Sequence, residues 1–322
     1  MERRRLGTSN LEVSRIGLGL AALGRPSYIT LGHGEDLVGR TDPASLRSHA
    51  FEVLDRAWDA GICYFDVARS YGNAEDFVGG WLDRRGIAPD DAVVASKWGY
   101  RYVADWDRDA RVHEVKDHTL AMLDTQFEES RSRLGAHLAA YQVHSVTAKS
   151  GVLADDAVLD RLTAIGEHGI VIGLTTSGPE QAWAIRKAIG IRRGGARLFQ
   201  VVQATWNLFE TSVGQALEEA ADAGIGVVIK EVLANGRLTD RTPEARTHLG
   251  LVDEPWPIDA VAIAAAFRKP WVTTVLSGAT TADQLASNLK AFEVPTALVD
   301  SLAPVTEDPQ DYWERRSRLR WT

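Results

Sequence analysis

Eight short apolar runs, each followed by a stretch of helical spacing, constrain this chain more than any other feature in it. The runs begin near Ile16, Ile62, Ala92, Ala139, Ile170, Phe199, Ile225 and Val272. Most are continuous and β-branched, as parallel strands covered on both faces must be. Helical periodicity is plain over 43–60, where Leu46, Ala50, Val53, Leu54, Ala57 and Trp58 recur before Gly61 stops the pattern. Further helices are expected over 73–85, 113–134, 155–168, 179–189, 213–223, 257–268 and 281–292. Eight strand–helix units in 322 residues predict an α/β chain closed as a (β/α)8 TIM barrel, one domain over 1–322. Gly7–Thr8–Ser9–Asn10 between β-compatible pieces adds an N-terminal β-hairpin. Long loops are expected at the C-terminal mouth, above all over 24–41. A doubly wound open sheet would carry G-x-G-x-x-G after its first strand. Here Gly17 and Gly19 are followed by Ala22, with Gly24 further on, so that fingerprint is absent.

Charge and cysteine content remove several function classes. Asp plus Glu number 44 against 36 Lys plus Arg, a formal charge of -8. Such a surface repels phosphate backbones and anionic lipid, which argues against nucleic acid or membrane as a partner. One cysteine, Cys63, excludes an intrachain disulfide and a multi-thiolate metal site. No run approaches the ~20 apolar residues of a membrane span, and Arg3, Arg4 and Arg5 lead into no signal-type core, so a cytoplasmic location is expected.

A barrel brings the carboxyl ends of its strands to one mouth. Asp66 ends the second expected strand, Lys97 the third and His144 the fourth, and Tyr71 lies just beyond Asp66. Any one of them could be a strand cap. Burying all four without mutual pairing would be costly. The set suits proton delivery to a carbonyl oxygen. A free phenol has a pKa near ~10, and an adjacent ammonium lowers it. Asp66 would hold the ammonium of Lys97, and His144 would bond the substrate oxygen or help pass the proton. No metal-ligand spacing accompanies them, so no metal is expected, and hydride must come from a cofactor.

These residues sit in segments that resemble the aldo-keto reductase superfamily. The segments are Arg5–Leu6–Gly7–Thr8–Ser9–Asn10–Leu11–Glu12–Val13–Ser14, Phe65–Asp66 with Tyr71–Gly72, Ser96–Lys97–Trp98–Gly99, and Gln142–Val143–His144–Ser145. The resemblance implies a catalytic set of Asp66, Tyr71, Lys97 and His144, with Tyr71 as general acid. It also implies an extended NADP(H) held without a Rossmann motif. Its cofactor residues would be Gly19, Leu20, Asp66, Thr175, Thr176 and Gln203 towards the nicotinamide. Lys230, Glu231, Leu233, Gly236, Arg237 and Arg241 would follow the pyrophosphate. Gly278, Thr280, Gln284 and Asn288 would line the adenosine end.

Three positions depart from that pattern. Lys230 stands where an aromatic often covers the nicotinamide, and Glu231–Val232–Leu233 replaces the usual Ser-Pro-Leu. The segment 277–289 lacks the cation often placed against a 2′-phosphate, leaving Arg237 or Arg241 as substitutes and NAD(H) open. Tyr28, Trp98 and Trp206 are expected to line the substrate site, among other aromatic residues of the mouth loops.

The leading expectation is an NAD(P)H-dependent oxidoreductase acting on a small carbonyl or alcohol. A nicotinamide-nucleotide sensor or auxiliary subunit with little turnover is the second. A barrel lyase, isomerase or hydrolase ranks third, because fold alone does not fix function.

Overall fold

The computed structural model describes residues 1–322, the Pro243 side chain excepted. Eight parallel strands close into a barrel. In chain order they are Ile16–Gly19, Tyr64–Asp66, Val93–Trp98, Leu138–Val146, Val171–Thr176, Val201–Thr205, Gly226–Lys230 and Thr274–Ser277. The ring closes where the last strand pairs with the first, Val275 opposite Ile16 and Ser277 opposite Leu18. The expected TIM barrel is therefore the fold of this chain.

Seven principal helices wrap the strands: Pro43–Asp59, Ala74–Arg85, Leu120–Leu134, Asp156–Gly166, Gln181–Gly190, Gly214–Asp222 and Ile258–Phe267. An eighth, Ala282–Leu289, follows the last strand. The first begins where the Asp42 side chain accepts from the Ala44 and Ser45 backbone N–H groups, with Pro43 at the first helical position. Thr281 caps the last by accepting from the Gln284 N–H.

The N-terminal hairpin, Arg3–Arg5 against Glu12–Ser14, sits across the floor of the barrel. Its Leu6 and Val13 join Tyr64, Val93, Ala140, Val201 and Val228 in a core inside the strands. Thr8 donates its N–H to the Gly224 carbonyl at 2.8 Å. Gly7 lies so close that an added Cβ would meet Gly226 and Gly224 backbone, at a φ of 62°. The hairpin closes one end of the barrel, and the other end is left for chemistry.

The segment 113–134 is not one helix. Glu114–Lys116 pairs with Tyr100–Tyr102 as an antiparallel ribbon over the mouth, and the helix begins only at Leu120. The loop 24–41 holds a single helical turn, His33–Asp36. Near the C-terminus a helix, Pro309–Ser317, carries the chain back across the mouth. There Thr322 and Tyr28 exchange backbone hydrogen bonds at 3.1 Å.

Candidate active site

Asp66 is the last residue of the second barrel strand, and alternation points its carboxylate into the mouth. Lys97, fully buried on the third strand, donates from Nζ to Asp66 Oδ1 at 2.5 Å and to the Val67 carbonyl at 2.8 Å. Gln203, on the sixth strand, donates from Nε2 to Asp66 Oδ2 at 2.7 Å. Both carboxylate oxygens are thus engaged, which is what a buried acid requires. The Lys97 nitrogen also stands 4.7 Å from the centroid of the Tyr71 ring. The Tyr71 hydroxyl shares a hydrogen bond with His144 Nε2 at 3.3 Å, and the two rings meet edge to face. Five residues from four chain segments converge on one spot.

Burial sets the protonation states. It holds the Tyr71 phenol well above its ordinary range, and the Asp66 charge adds to the effect. Lys97 stands beneath the ring, and burial with the Asp66 charge opposes the acidification expected from it. Tyr71 therefore carries its proton at neutral pH. Burial likewise holds the His144 imidazole well below its usual range, with Lys97 and Lys230 reinforcing it. His144 is neutral, and its Nδ1 has no partner among the described residues. Burial also lowers the Lys97 ammonium, against the opposing pull of Asp66. The arrangement offers a neutral O–H donor beside a neutral imidazole, over a bonded ammonium–carboxylate pair.

An elongated cavity of about 690 Å³ leads from Tyr71 and His144 across the mouth to Gln284 and Asn288. Gly19, Asp66, Gln203, Lys230, Glu231, Leu233, Gly236, Arg241, Gly278 and Thr280 line it, as does Tyr28. Leu20, Thr175, Thr176, Arg237, Trp98 and Trp206 do not. Thr175 Oγ1 is occupied by the Ser145 N–H at 2.7 Å, and Thr176 Oγ1 donates to Gln181 at 3.0 Å. Arg237 is drawn off to Glu307, 3.1 Å away. Trp98 follows Lys97 and so faces the opposite side of the sheet, where it meets His118. Trp206 packs edge to face on Trp271 outside the cavity.

Other residues enter the site without having been singled out from the sequence. Arg25 is buried, donates to the Ser70 carbonyl and to Glu114 Oε1, and lies 5.2 Å from the Tyr71 ring centroid. Trp321 stacks on His113 at 4.2 Å with an interplanar angle of 6° and covers Arg25. Arg316 forks onto the Glu231 carboxylate, one arm at 2.8 Å. Burial opposes the Glu231 charge, yet Arg316 and Lys230 outweigh it and hold the carboxyl down to about 2. Lys230, donating to Thr205 Oγ1 at 2.7 Å, is pushed down by burial to about 8 although Glu231 pulls the other way. Only contacts distant in sequence reveal Arg25, Arg316 and Trp321; no local motif does.

The cavity fits a nicotinamide dinucleotide on two counts. Its volume lies within the range of roughly 300–1,000 Å³ usual for cofactor sites. Gln203 commits its Nε2 to Asp66 and leaves its amide oxygen without a protein partner among the described residues, an acceptor beside the Tyr71 end.

Known proteins agree with this picture. The family model for the aldo/keto reductase family matches residues 15–302. D-threo-aldose 1-dehydrogenase from Pseudomonas sp is 27% identical over 311 residues, covering 85% of this chain and 92% of that protein. L-glyceraldehyde 3-phosphate reductase from Escherichia coli (strain K12) is 24% identical over 351 residues, covering 97% and 93%. The holo form of the aldo-keto reductase AKR11C1 from Bacillus halodurans superposes with a TM-score of 0.70 at 22% identity, covering 98% of this chain and 96% of that one. A closed barrel, its acid, lysine, tyrosine and histidine gathered at one mouth, and a family match over nearly the whole length lead to one statement: this chain belongs to the aldo/keto reductase family.

Proposed function

We propose that this protein reduces an aldehyde or ketone to the alcohol, or runs that reaction in reverse, with Tyr71 delivering or accepting the proton. A bound nicotinamide dinucleotide would supply or take the hydride. The observation that carries the reading is the linkage Gln203–Asp66–Lys97 set beneath Tyr71, whose hydroxyl shares a hydrogen bond with neutral His144. A general acid must hold a proton at the working pH and be fixed at the reacting oxygen. A phenol holds its proton at neutral pH, and His144 with the ring contact to Lys97 fixes Tyr71 in place. Gln203 would hold the carboxamide end of the cofactor, and Lys230, Glu231 and Leu233 its middle.

At the substrate end, Tyr28, Tyr100 and Trp321 form aromatic walls around the Arg25–Glu114 pair. That surface suits a small carbonyl compound with an apolar or ring face for the aromatics and a hydroxyl for the charged pair. Relatives that act on an aldose and on a phosphorylated glyceraldehyde support a small aldehyde. For the dinucleotide, family resemblance alone favours NADP(H), but the residues at the far end of the cavity point the other way.

Transient oxidation of bound reduced dinucleotide, tried with a panel of aldehydes and ketones, tests the reading. Turnover with some member is expected. Its absence with all of them would favour a nucleotide sensor.

A further inference from the structure

We propose that the end of the cavity remote from Tyr71 selects NAD(H) over NADP(H), with Asp36 and the Arg241 it immobilises as the specificity-determining pair. The inference rests on the nicotinamide-dinucleotide reading above and deepens it. A nicotinamide held at Tyr71 and Gln203 leaves only the opposite end, around Thr280 and Gln284, for the adenosine. A 2′-phosphate there brings close to two extra negative charges and needs a cationic donor free to meet it.

No such donor is free among the described residues that line the cavity. Of the cations lining the cavity, Arg25 is bonded to Glu114, Lys230 to Thr205 beside Glu231, and Arg316 to Glu231. Only Arg241 stands at the far end, and it is already committed. Its Nη2 is ion-paired to Asp36 Oδ1 and its Nη1 donates to the Leu31 carbonyl. The loop is shaped around it: Gly32 has a φ of 72°, and an added Cβ there would collide with the guanidinium. Asp36 is held in turn by Thr280, whose Oγ1 donates to Asp36 Oδ2 at 3.3 Å.

The remaining charges at this end are acids. Asp240, Asp259 and Asp283 line it with Asp36. Asp240 is bonded to Arg246 and Asp259 to Ser287 and Asn288, so two of these carboxylates are built into the wall. A ribose 2′-hydroxyl can donate to such a surface. A 2′-phosphate can only accept, and it meets like charge at short range.

The experiment is a calorimetric titration of the full chain with NADH and with NADPH, without carbonyl substrate, at low and at raised salt. We expect NADH to bind tighter by at least about tenfold. The gap should narrow as salt screens the acids from the phosphate. In Asp36→Ala, with the fold checked by circular dichroism, Arg241 is released and NADPH affinity should rise while NADH affinity does not. Equal or tighter binding of NADPH to the wild-type chain overturns the inference and leaves the enzyme reading intact. Unchanged NADPH affinity in a folded Asp36→Ala removes Asp36 and Arg241 as the determinants. Failure of both dinucleotides to bind sinks the reading beneath it as well.

Discussion

Arg316 forks onto Glu231 across 85 positions of sequence, tying the C-terminal helix to the loop that follows the seventh barrel strand. The pair is largely buried, with side-chain exposures of 22% and 9%. Breaking one partner of such a pair strands the other in low dielectric. Arg316→Ala should therefore destabilise the chain by on the order of 3 kcal/mol. Amide exchange over 309–322 should accelerate before the barrel itself opens. The pH sign follows from Glu231, whose carboxyl is held from 4.5 down to about 2. Its contribution is full above about 4.5 and is lost as pH falls through about 2. Exchange mass spectrometry across that window checks both statements, and a tail as protected in Arg316→Ala as in wild type would refute the first.

Tyr71→Phe removes one hydroxyl whose hydrogen-bond partner is His144. Turnover should fall by roughly 10²–10⁴, the usual worth of a positioned acid. Dinucleotide affinity and melting temperature should stay near wild type. Rapid mixing of the reduced-dinucleotide complex with carbonyl compound measures the step; wild-type rates would remove Tyr71 from the chemistry.

The Lys97–Asp66 pair separates structure from chemistry by a double-variant cycle. Lys97→Met leaves Asp66 charged and buried with Gln203 as its other donor, and should cost about 3–5 kcal/mol. Lys97→Met combined with Asp66→Asn should recover a large part of that loss, because no bare charge remains. Activity should stay low in both. Denaturant melts of all four members supply the coupling energy, and additive losses would argue against a buried ion pair.

Lys230 gives an alkaline signature. Its ammonium is held from 10.5 down to about 8, so the unfolded chain binds more protons between those values. Stability from this group therefore rises with pH over about 8 to 10.5. Below that window the buried charge costs on the order of 3 kcal/mol. Lys230→Met should melt above wild type at neutral pH, and the difference should shrink as pH approaches 10.5. A constant difference across that range would contradict the assignment.

Trp321 lies flat on His113 and over Arg25, at the end of the cavity proposed to take the carbonyl compound. Trp321→Ala should raise KM for carbonyl compounds several-fold with little change in kcat, since no reacting group is lost. Steady-state kinetics on one good substrate decides it.

The barrel was legible because its strands are continuous apolar runs and its helices keep a 3.6-residue repeat, both local signals. Asp66, Lys97 and His144 were legible for the same reason, as polar residues that end such runs. The ribbon Glu114–Lys116 was missed because three residues carry too little alternation and run straight into an amphipathic helix. Arg25, Glu114, Arg316 and Trp321 were missed because their meaning lies in partners far along the chain; Arg25 and Glu114 are 89 positions apart. Trp98 was misdirected by strand parity: beside an inward Lys97 it must face outward. The loop 24–41 was marked by its length, but that its Asp36 captures Arg241 could be read only from coordinates.

The hairpin on the barrel floor has a further consequence. Leu6 and Val13 complete a filled interior rather than a channel, so the cavity at the mouth opens to solvent from one side only. Under the proposed reaction, cofactor and carbonyl compound would arrive by that one opening. Product-inhibition patterns should then show an ordered sequence of arrival and departure.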